Sequence, residues 1–436
     1  MSSLSKSILD SLTIGDLSRL ADKTEYKPDI LEKIAYLQAV LSMVNEDPFL
    51  SSRLVLKGGT ALNLYYLDTP RLSVDLDFNY IGTADRQIMQ EERAEINQIF
   101  TEKSVLLGLT QERFGNRHAG GKTVWRYPSA FGHRGTLEVD LNFMHRVHFS
   151  PTVQQSTTFN YFGFNQPVHL LDIHEVAAGK IMALQSRDKS RDVFDVAMLA
   201  QLPLLDHKKL RFYTVLYAAM DSKEPNTFRG LVGRPERNEF REQLKPLLKT
   251  SMISQMKEQD YIDLLVTKSN ELLKEILPFS EQEQTFLTQV KAGKIQPDLL
   301  TGDTVLQANI ERHPGIMWHA SGKRLYVASL SSKQEILPTH QSHWFQGISP
   351  SEMQKLLNSE NDTLKKIGNY LKTLTNQHHD QPTKKVQSRE LLELLTKSAL
   401  RDPILSPLIR STAPVFSQTA QAFFEKKQVH SQGVSR

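Results

Sequence analysis

The residues best suited to chemistry in this 436-residue chain lie in one segment, LVLKGGTALNLYYLDTPRLSVDLDF, residues 54–78. Gly58 and Gly59 follow a short apolar run that predicts a strand, and helical spacing resumes after them. A glycine turn there lets backbone N–H groups approach an anion, and the N-terminus of the new helix adds a favourable dipole. Thr60 can cap this helix or contact a phosphate oxygen. The segment therefore predicts a phosphate-binding turn.

Two aspartates follow this turn on a segment of alternating polar and apolar residues. Asp75 and Asp77 are two positions apart, so on a strand both carboxylates point to the same face. A third acid comes from a second alternating segment, residues 135–145, where Asp140 and its rival Glu138 share a face. A divalent cation such as Mg²⁺ would relieve the repulsion between paired acids. A bare pair can equally be two solvated acids, but the glycine turn before it indicates a two-metal phosphoryl-transfer site.

A second candidate motif, EVAAGKIMALQSRDKSRDVFD, spans residues 175–195. Lys180 and Arg187 are seven residues apart, which predicts one helical face from which both cations could meet a triphosphate. A solvated basic stripe is the alternative reading. Asp192 and Asp195 share a face at i, i+3 spacing. We favour Asp192 as the site residue and Asp195 as its structural neighbour.

Together, the two motifs resemble those of the AbiEii/AbiGii toxin family of nucleotidyltransferases, a branch of the DNA polymerase β-like superfamily. The first family motif is a Gly-Gly-Thr turn followed by Arg, a hydrophobic residue, Ser, any residue and Asp-x-Asp. The second is a helix containing Lys, followed by Arg-Asp-x-x-Asp. The resemblance covers roughly residues 28–200, with Asp140 as the best match to a third family acid. The matching motif residues are Gly58, Gly59, Thr60, Arg71, Ser73, Asp75, Asp77, Lys180, Arg187, Arg191, Asp192 and Asp195.

This resemblance implies a fold of mixed α/β (α+β) class, with a polymerase β-like core and a small mixed sheet. It implies a metal-dependent nucleotidyltransferase toxin of class EC 2.7.7. Such an enzyme moves a nucleotide from a nucleoside triphosphate (NTP) to an acceptor hydroxyl, with the 3′ end of a tRNA as the expected acceptor. Family toxins are typically paired with a separately encoded antitoxin, often a winged-helix DNA-binding protein.

Site roles are carried over from the family residue by residue. Asp75, Asp77 and Asp140 are expected to bind two Mg²⁺ ions, and Asp140 would also orient the acceptor hydroxyl. The turn residues and Ser73 would hold phosphate oxygens, while Lys180 and Arg187 would contact the triphosphate. Asp192 would position Lys180 or the acceptor.

The elements that must position these residues follow from periodicity. Apolar residues at 3–4 spacing predict a helix over residues 28–45. The predicted order over the first 200 residues is helix, strand, helix, strand, strand, strand, helix, helix. Residues 123–129 are expected to pair with the strand at 135–145. Asp172 and Glu175 predict a capping box at the start of the first late helix.

Composition excludes several classes of protein. The chain has no cysteine, so disulfide scaffolds, zinc-thiolate sites, iron–sulfur clusters and cysteine nucleophiles are ruled out. No apolar run approaches the ~20 residues needed to cross a bilayer, and the start lacks the apolar core of a secretory signal. The net charge of +4 is a mild excess. We therefore expect a cytoplasmic protein with no membrane contact.

Three parts are expected along the chain: a nucleotidyltransferase core over residues 1–204, a mostly helical domain over 205–345, and short helices on a flexible basic tail over 346–436. The tail pairs Lys384-Lys385 and Lys426-Lys427 could contact RNA phosphates or be simply solvated. Trp318 and Trp344 could stack on a base, although packing roles are expected.

Two other functions are compatible with the same residues. One is a catalytically silent nucleotide-binding interaction protein of the same fold, and the intact acid pair argues against it. The other is an antibiotic-modifying nucleotidyltransferase, which shares the glycine turn and acid pair. The Arg-Asp-x-x-Asp motif argues against that second alternative.

Overall fold

A computed structural model of the chain describes residues 2–320, except 116–118, 188, 204, 222–227 and 229. All described residues belong to one compact unit, Met1–Gln334. The predictions for Trp344 and for the tail over 346–436, including its lysine pairs, lie outside the described residues.

A seven-stranded mixed sheet lies at the centre of the described chain. Its strands are β1 (Leu54–Lys57), β2 (Asp75–Tyr80), β3 (Thr110–Arg113), β4 (Gly120–Pro128), β5 (Arg134–Asn142), β6 (Val153–Gln155) and β7 (Val168–Leu170). Their order is β3-β4-β5-β2-β1-β7-β6. Strand β2 pairs antiparallel with β1 and parallel with β5, while β4 and β5 form the predicted antiparallel pair. The mixed α/β class is confirmed.

The sheet is larger than the small sheet expected. Strands β3, β6 and β7 are each only three or four residues long, as in VQQ and VHL. Such short segments are too brief to show a period of two, so neighbouring strands and not their own pattern define them.

Helices surround this sheet. They are α1 (Ser2–Ser11), α2 (Ile14–Thr24), α3 (Pro28–Glu46), α4 (Pro48–Ser51), α5 (Gly58–Ala61), α6 (Arg86–Leu106), α7 (Ile173–Ser186), α8 (Ser190–Leu199), α9 (His207–Ala219), α10 (Arg237–Glu239), α11 (Thr250–Ser254), α12 (Glu258–Ile276), α13 (Glu281–Lys291) and α14 (Thr304–Arg312). Helix α3 packs on β5 and β7. Helices α7 and α8 pack on each other, α7 also packs against α9, and α8 packs against α12. Within the described ranges, no helix is both long and apolar enough to span a membrane.

Helix α6 is missing from the predicted element order. Its sequence, RQIMQEERAEINQIFTEKSVL, buries only three apolar side chains, Met89, Ile96 and Phe100. The helical period is therefore too sparse to stand out. A local signal supports the start of α6, since the Asp85 side chain accepts a hydrogen bond from the Ile88 N–H at 2.9 Å.

The predicted capping box at the start of α7 is wrong. Asp172 caps the helix by accepting from the His174 N–H at 2.9 Å. Glu175 instead turns inward and accepts from the backbone N–H groups of Phe149 and Ser150, at 2.9 and 2.8 Å. Burial raises the pKa of Glu175 to about 8, although these two donors favour the charged form.

We expect Glu175 to make the stability of the fold depend on pH. Its folded pKa lies above the value of about 4.3 in an unfolded chain, so the folded state holds the proton more tightly. The contribution of Glu175 to the free energy of unfolding is therefore complete below about pH 4. It is lost as pH rises towards 8, by up to about 1.4 kcal/mol per pH unit. The Glu175→Gln variant keeps a neutral acceptor and should lack this slope. Urea unfolding at pH 5.5, 6.5 and 7.5 measures it, and parallel slopes for both proteins would contradict the expectation.

Candidate active site

Four acidic side chains share one face of the sheet on β2 and β5. In the parallel register between these strands, Asp75 lies opposite Glu138 and Asp77 lies opposite Asp140. Directly opposed residues project to the same face, so the structure brings all four together. Glu138 is held by Lys122 at 2.5 Å. In the described part of the chain, no cationic side chain lies within 4 Å of Asp140.

The glycine turn lies directly against these acids. Gly58 has a left-handed φ of +73°, and a β-carbon there would lie 2.3 Å from Oδ2 of Asp77. Only glycine allows both the backbone angle and this approach. A β-carbon at Gly59 would lie 2.9 Å from Ser73 Oγ and 3.4 Å from Lys180 Nζ. A hydroxyl and an ammonium group, both of which can donate to a phosphate oxygen, therefore face Gly59.

Thr60 has a different place from the one predicted. Its side chain is buried, and its hydroxyl donates to the backbone carbonyl of Asp75 at 2.5 Å. The hydroxyl proton therefore joins the turn to the start of β2. The Thr60 hydroxyl is therefore engaged by the backbone of the neighbouring strand.

A buried ion network lies beneath the turn and centres on Asp195. Its carboxylate accepts two hydrogen bonds from Arg71, at 2.9 and 2.8 Å, and pairs with Lys180 at 2.7 Å. Asn63 donates to both Asp195 Oδ1 and the Gly59 carbonyl, at 2.9 and 3.0 Å. Burial alone would raise the pKa of Asp195, but Arg71 and Lys180 outweigh it and hold the pKa well below its usual range.

The ion pairs of the two late aspartates differ from those expected. Lys180 lies 2.7 Å from Asp195 but 3.7 Å from Asp192, so Asp195 is its closer partner. Asp192 is occupied instead by the Arg187 guanidinium, whose Nε lies 2.8 Å from Oδ2. Spacing at i, i+3 places both acids on one face of α8 but does not say which of them lies nearer Lys180.

Arg187 does not extend the helical face of Lys180, as its spacing predicted. Helix α7 ends at Ser186, and Arg187 has an extended backbone with φ of −149°. Its side chain remains largely exposed, and the hydrogen bond to Asp192 raises its pKa. Arg191, from the same motif, reaches the acid face instead, where its guanidinium lies 3.6 Å from Asp75.

Two cations beside the acids were missed by the sequence reasoning. Lys122 reaches the acidic face from β4, and Lys57 ends β1 directly opposite Asp77. Burial lowers the pKa of Lys57, while Asp77 and Asp140 act to raise it. The available signal for Lys57 was a charged residue at the end of an apolar strand, immediately before Gly58.

The acids suit a divalent cation in chemical type. Asp75, Asp77 and Asp140 offer only carboxylate oxygens, which are hard donors. Within the described residues, no three His, Cys, Asp or Glu side chains are arranged so that they could hold a metal ion by themselves. This is compatible with Mg²⁺, which proteins commonly bind through one or two carboxylates plus substrate phosphates.

A known protein family and a solved structure are similar to this chain. A family model described as "Nucleotidyl transferase AbiEii toxin, Type IV TA system" matches residues 39–288, more than half of the chain, and this range includes every candidate site residue. Among solved structures, the chain is similar to MenT4, a nucleotidyltransferase toxin from Mycobacterium tuberculosis H37Rv. The two are 17% identical, the match covers 70% of this chain and 99% of that chain, and the TM-score is 0.49. No curated protein matches the chain.

Proposed function

This chain belongs to the AbiEii family of nucleotidyltransferase toxins of type IV toxin–antitoxin systems, and from that premise we propose that it transfers a nucleotide from an NTP to the 3′ end of a tRNA in the cytoplasm, with Mg²⁺ as cofactor. The observation that carries the proposal is the close approach of the Gly58 turn to Asp77, with Asp75 and Asp140 on the same face. A phosphate-binding turn and a cation-binding acid face then act on one triphosphate.

In the proposed reaction, the acceptor hydroxyl oxygen attacks the α-phosphorus of the NTP. The bond from that phosphorus to the bridging oxygen breaks, and pyrophosphate leaves. Asp140 lies opposite Asp77 and has no cationic partner within 4 Å in the described chain, so we assign it to orient the hydroxyl and accept its proton. Glu138 is already engaged by Lys122, which supports Asp140 as the third acid.

The triphosphate would lie over the glycine turn. Ser73 and Lys180 both face Gly59 and can donate to phosphate oxygens. Lys180 is held in place by Asp195, so it needs little reorganisation when charge develops on the leaving pyrophosphate. We assign Arg187, which is largely exposed just beyond the end of α7, to the outer phosphates.

Asp75, Asp77 and Asp140 would hold the Mg²⁺ together with phosphate oxygens of the NTP. When bound, the ion would neutralise charge on the phosphates and make the acceptor hydroxyl easier to deprotonate. Family membership implies an antitoxin partner, which we propose is a separately encoded winged-helix protein.

The test is an incubation of the full-length protein with Mg²⁺, total tRNA and each α-labelled NTP in turn. We expect label on tRNA with at least one nucleotide, and none with the Asp75→Ala variant. The matched control is Asp22→Ala, which removes an exposed acid of α2 and should label tRNA like the wild type.

The outcomes separate the alternatives. Labelling of a small molecule instead of RNA would replace the proposal with the antibiotic-modifying enzyme. Nucleotide binding without any transfer would replace it with the silent binding protein. Expression in a bacterial host gives a second readout, because a toxin should arrest growth and its Asp75→Ala variant should not.

A further inference from the structure

A row of four charged residues crosses four neighbouring strands of the sheet. Lys57 on β1 is opposite Asp77 on β2, Asp77 is opposite Asp140 on β5, and Asp140 is opposite Lys122 on β4. Directly opposed residues share a face, so two lysines flank two aspartates. We call these four residues the charge row.

The two lysines of the charge row are not equivalent. Lys122 is 46% exposed and forms an ion pair at 2.5 Å with Glu138, which precedes Asp140 by two residues on β5. Lys57 is the last residue of β1, and among the described residues its side chain makes no hydrogen bond and no ion pair within 4 Å. The charges of Asp77 and Asp140 act to raise the pKa of Lys57, against the effect of burial. Burial and the charge of Lys57 lower the pKa of His145, whose ring meets the rings of Tyr217 and His313 edge-on, so His145 supplies no negative charge to Lys57.

Lys57 is only partly exposed, and an ammonium group shielded from water costs free energy unless an anion compensates it. For Lys57, the available anions are the paired carboxylates of Asp77 and Asp140, which repel each other and need a cation. We propose that Lys57 is a positioning residue for the active-site acids: its ammonium is the built-in counter-ion of Asp77 and Asp140, and it competes with a divalent cation for them. This inference rests on the proposed function, since it takes these acids as the divalent-cation site.

Divalent-cation affinity tests the competition directly, without nucleotide or RNA. In calorimetric titrations with Mg²⁺ alone, we expect the Lys57→Met variant to bind at least tenfold more tightly than the wild type, because one positive charge next to the acids is gone. The Lys57→Arg variant keeps the charge and should stay near wild type. The matched control is Lys122→Met, whose ammonium is bound to Glu138, and we expect less than a threefold change. Equal or weaker binding by Lys57→Met, or no Mg²⁺ binding by either protein, would overturn the proposal.

Stability without metal gives a second readout, which also covers a Lys57→Met variant that folds poorly. Removing Lys57 takes away one of the positive charges next to Asp77 and Asp140, so the metal-free variant should melt several degrees lower than the wild type. Adding Asp77→Asn to Lys57→Met should restore most of this loss, because the second change removes one of the two charges that need compensation. If the double variant is no more stable than the single one, the counter-ion role is wrong.

These readouts keep the inference distinct from the proposed function. Tighter Mg²⁺ binding by Lys57→Met would uphold the counter-ion role even if no nucleotide reached tRNA. If the wild type transfers nucleotide to tRNA but Lys57→Met has the same Mg²⁺ affinity as the wild type, the proposed function is supported and the counter-ion role of Lys57 is wrong.

Discussion

Replacing Asp77 with asparagine is expected to lower nucleotide transfer by about a thousandfold or more while leaving the fold at least as stable. Asp77 is the acid that touches the Gly58 turn and lies opposite Asp140, so its charge acts where phosphate and acceptor would meet. Loss of a cation-binding carboxylate removes several kcal/mol of transition-state stabilisation, and each 1.36 kcal/mol is about tenfold in rate. Burial raises the pKa of Asp77, so the neutral amide should be easier to bury than the charged carboxylate.

Single-turnover transfer and thermal melting, measured on the same preparations, check this prediction. The comparison variant is Glu138→Gln, which neutralises the neighbouring acid that Lys122 already holds. We expect Glu138→Gln to keep most of the transfer rate. A similar loss in both variants would indicate that the total charge of the acid face matters, rather than the position of Asp77.

Replacing Asp195 with alanine is expected to cost about 3–5 kcal/mol of stability, the range found when one partner of a buried ion pair is removed. Asp195 is fully buried, and the change would leave Arg71 and Lys180 as buried cations without their carboxylate. Urea unfolding should show a lower midpoint with an unchanged slope. Transfer should fall as well, since Lys180 would lose its closest partner beside Gly59.

Asp192→Ala is the matched control for Asp195→Ala, because Asp192 is also buried but pairs with the largely exposed Arg187. We expect Asp192→Ala to lower the free energy of unfolding by less than half as much as Asp195→Ala. The Arg71→Met/Asp195→Leu double variant removes the main pair together and should recover part of the lost stability. An equal cost for the two aspartates would contradict the central position of Asp195.

The effect of Asp195 should also depend on pH in a defined direction. Because Arg71 and Lys180 hold its folded pKa well below the unfolded value of about 3.9, its contribution is complete above about pH 4. The contribution is lost only as pH falls through the depressed folded pKa. The difference in stability between the wild type and Asp195→Ala should therefore be constant from pH 5 to 8 and shrink in strong acid.

Local features of the site were predictable because they depend on residues close together in sequence. Asp75 and Asp77 share a face because strand side chains alternate, whatever the rest of the chain does. The need for glycine at position 58 follows from a turn that must bend sharply between a strand and a helix, and its φ of +73° accords with that. The pairing of β4 with β5 was predictable from two alternating segments joined by a short connection.

Features that depend on distant residues could not be predicted in the same way. Arg71 and Asp195 are 124 positions apart, and nothing in either motif says that they meet. Glu175 satisfies the pattern of a capping box, but its carboxylate accepts hydrogen bonds from the distant backbone N–H groups of Phe149 and Ser150 instead. Arg187 has the right spacing for the face of Lys180, but the helix ends one residue too early.

The sequence alone was enough to predict the family, the glycine turn and the strand faces of the acids that we propose as site residues. The pairing of the charges depends on the fold: Asp195 pairs with Arg71 and Lys180, and Arg187 pairs with Asp192. The physical reason is that side-chain direction is set by local backbone geometry. The partner of a buried charge is instead set by whichever opposite charge the fold brings within a few ångströms in a medium of low polarity.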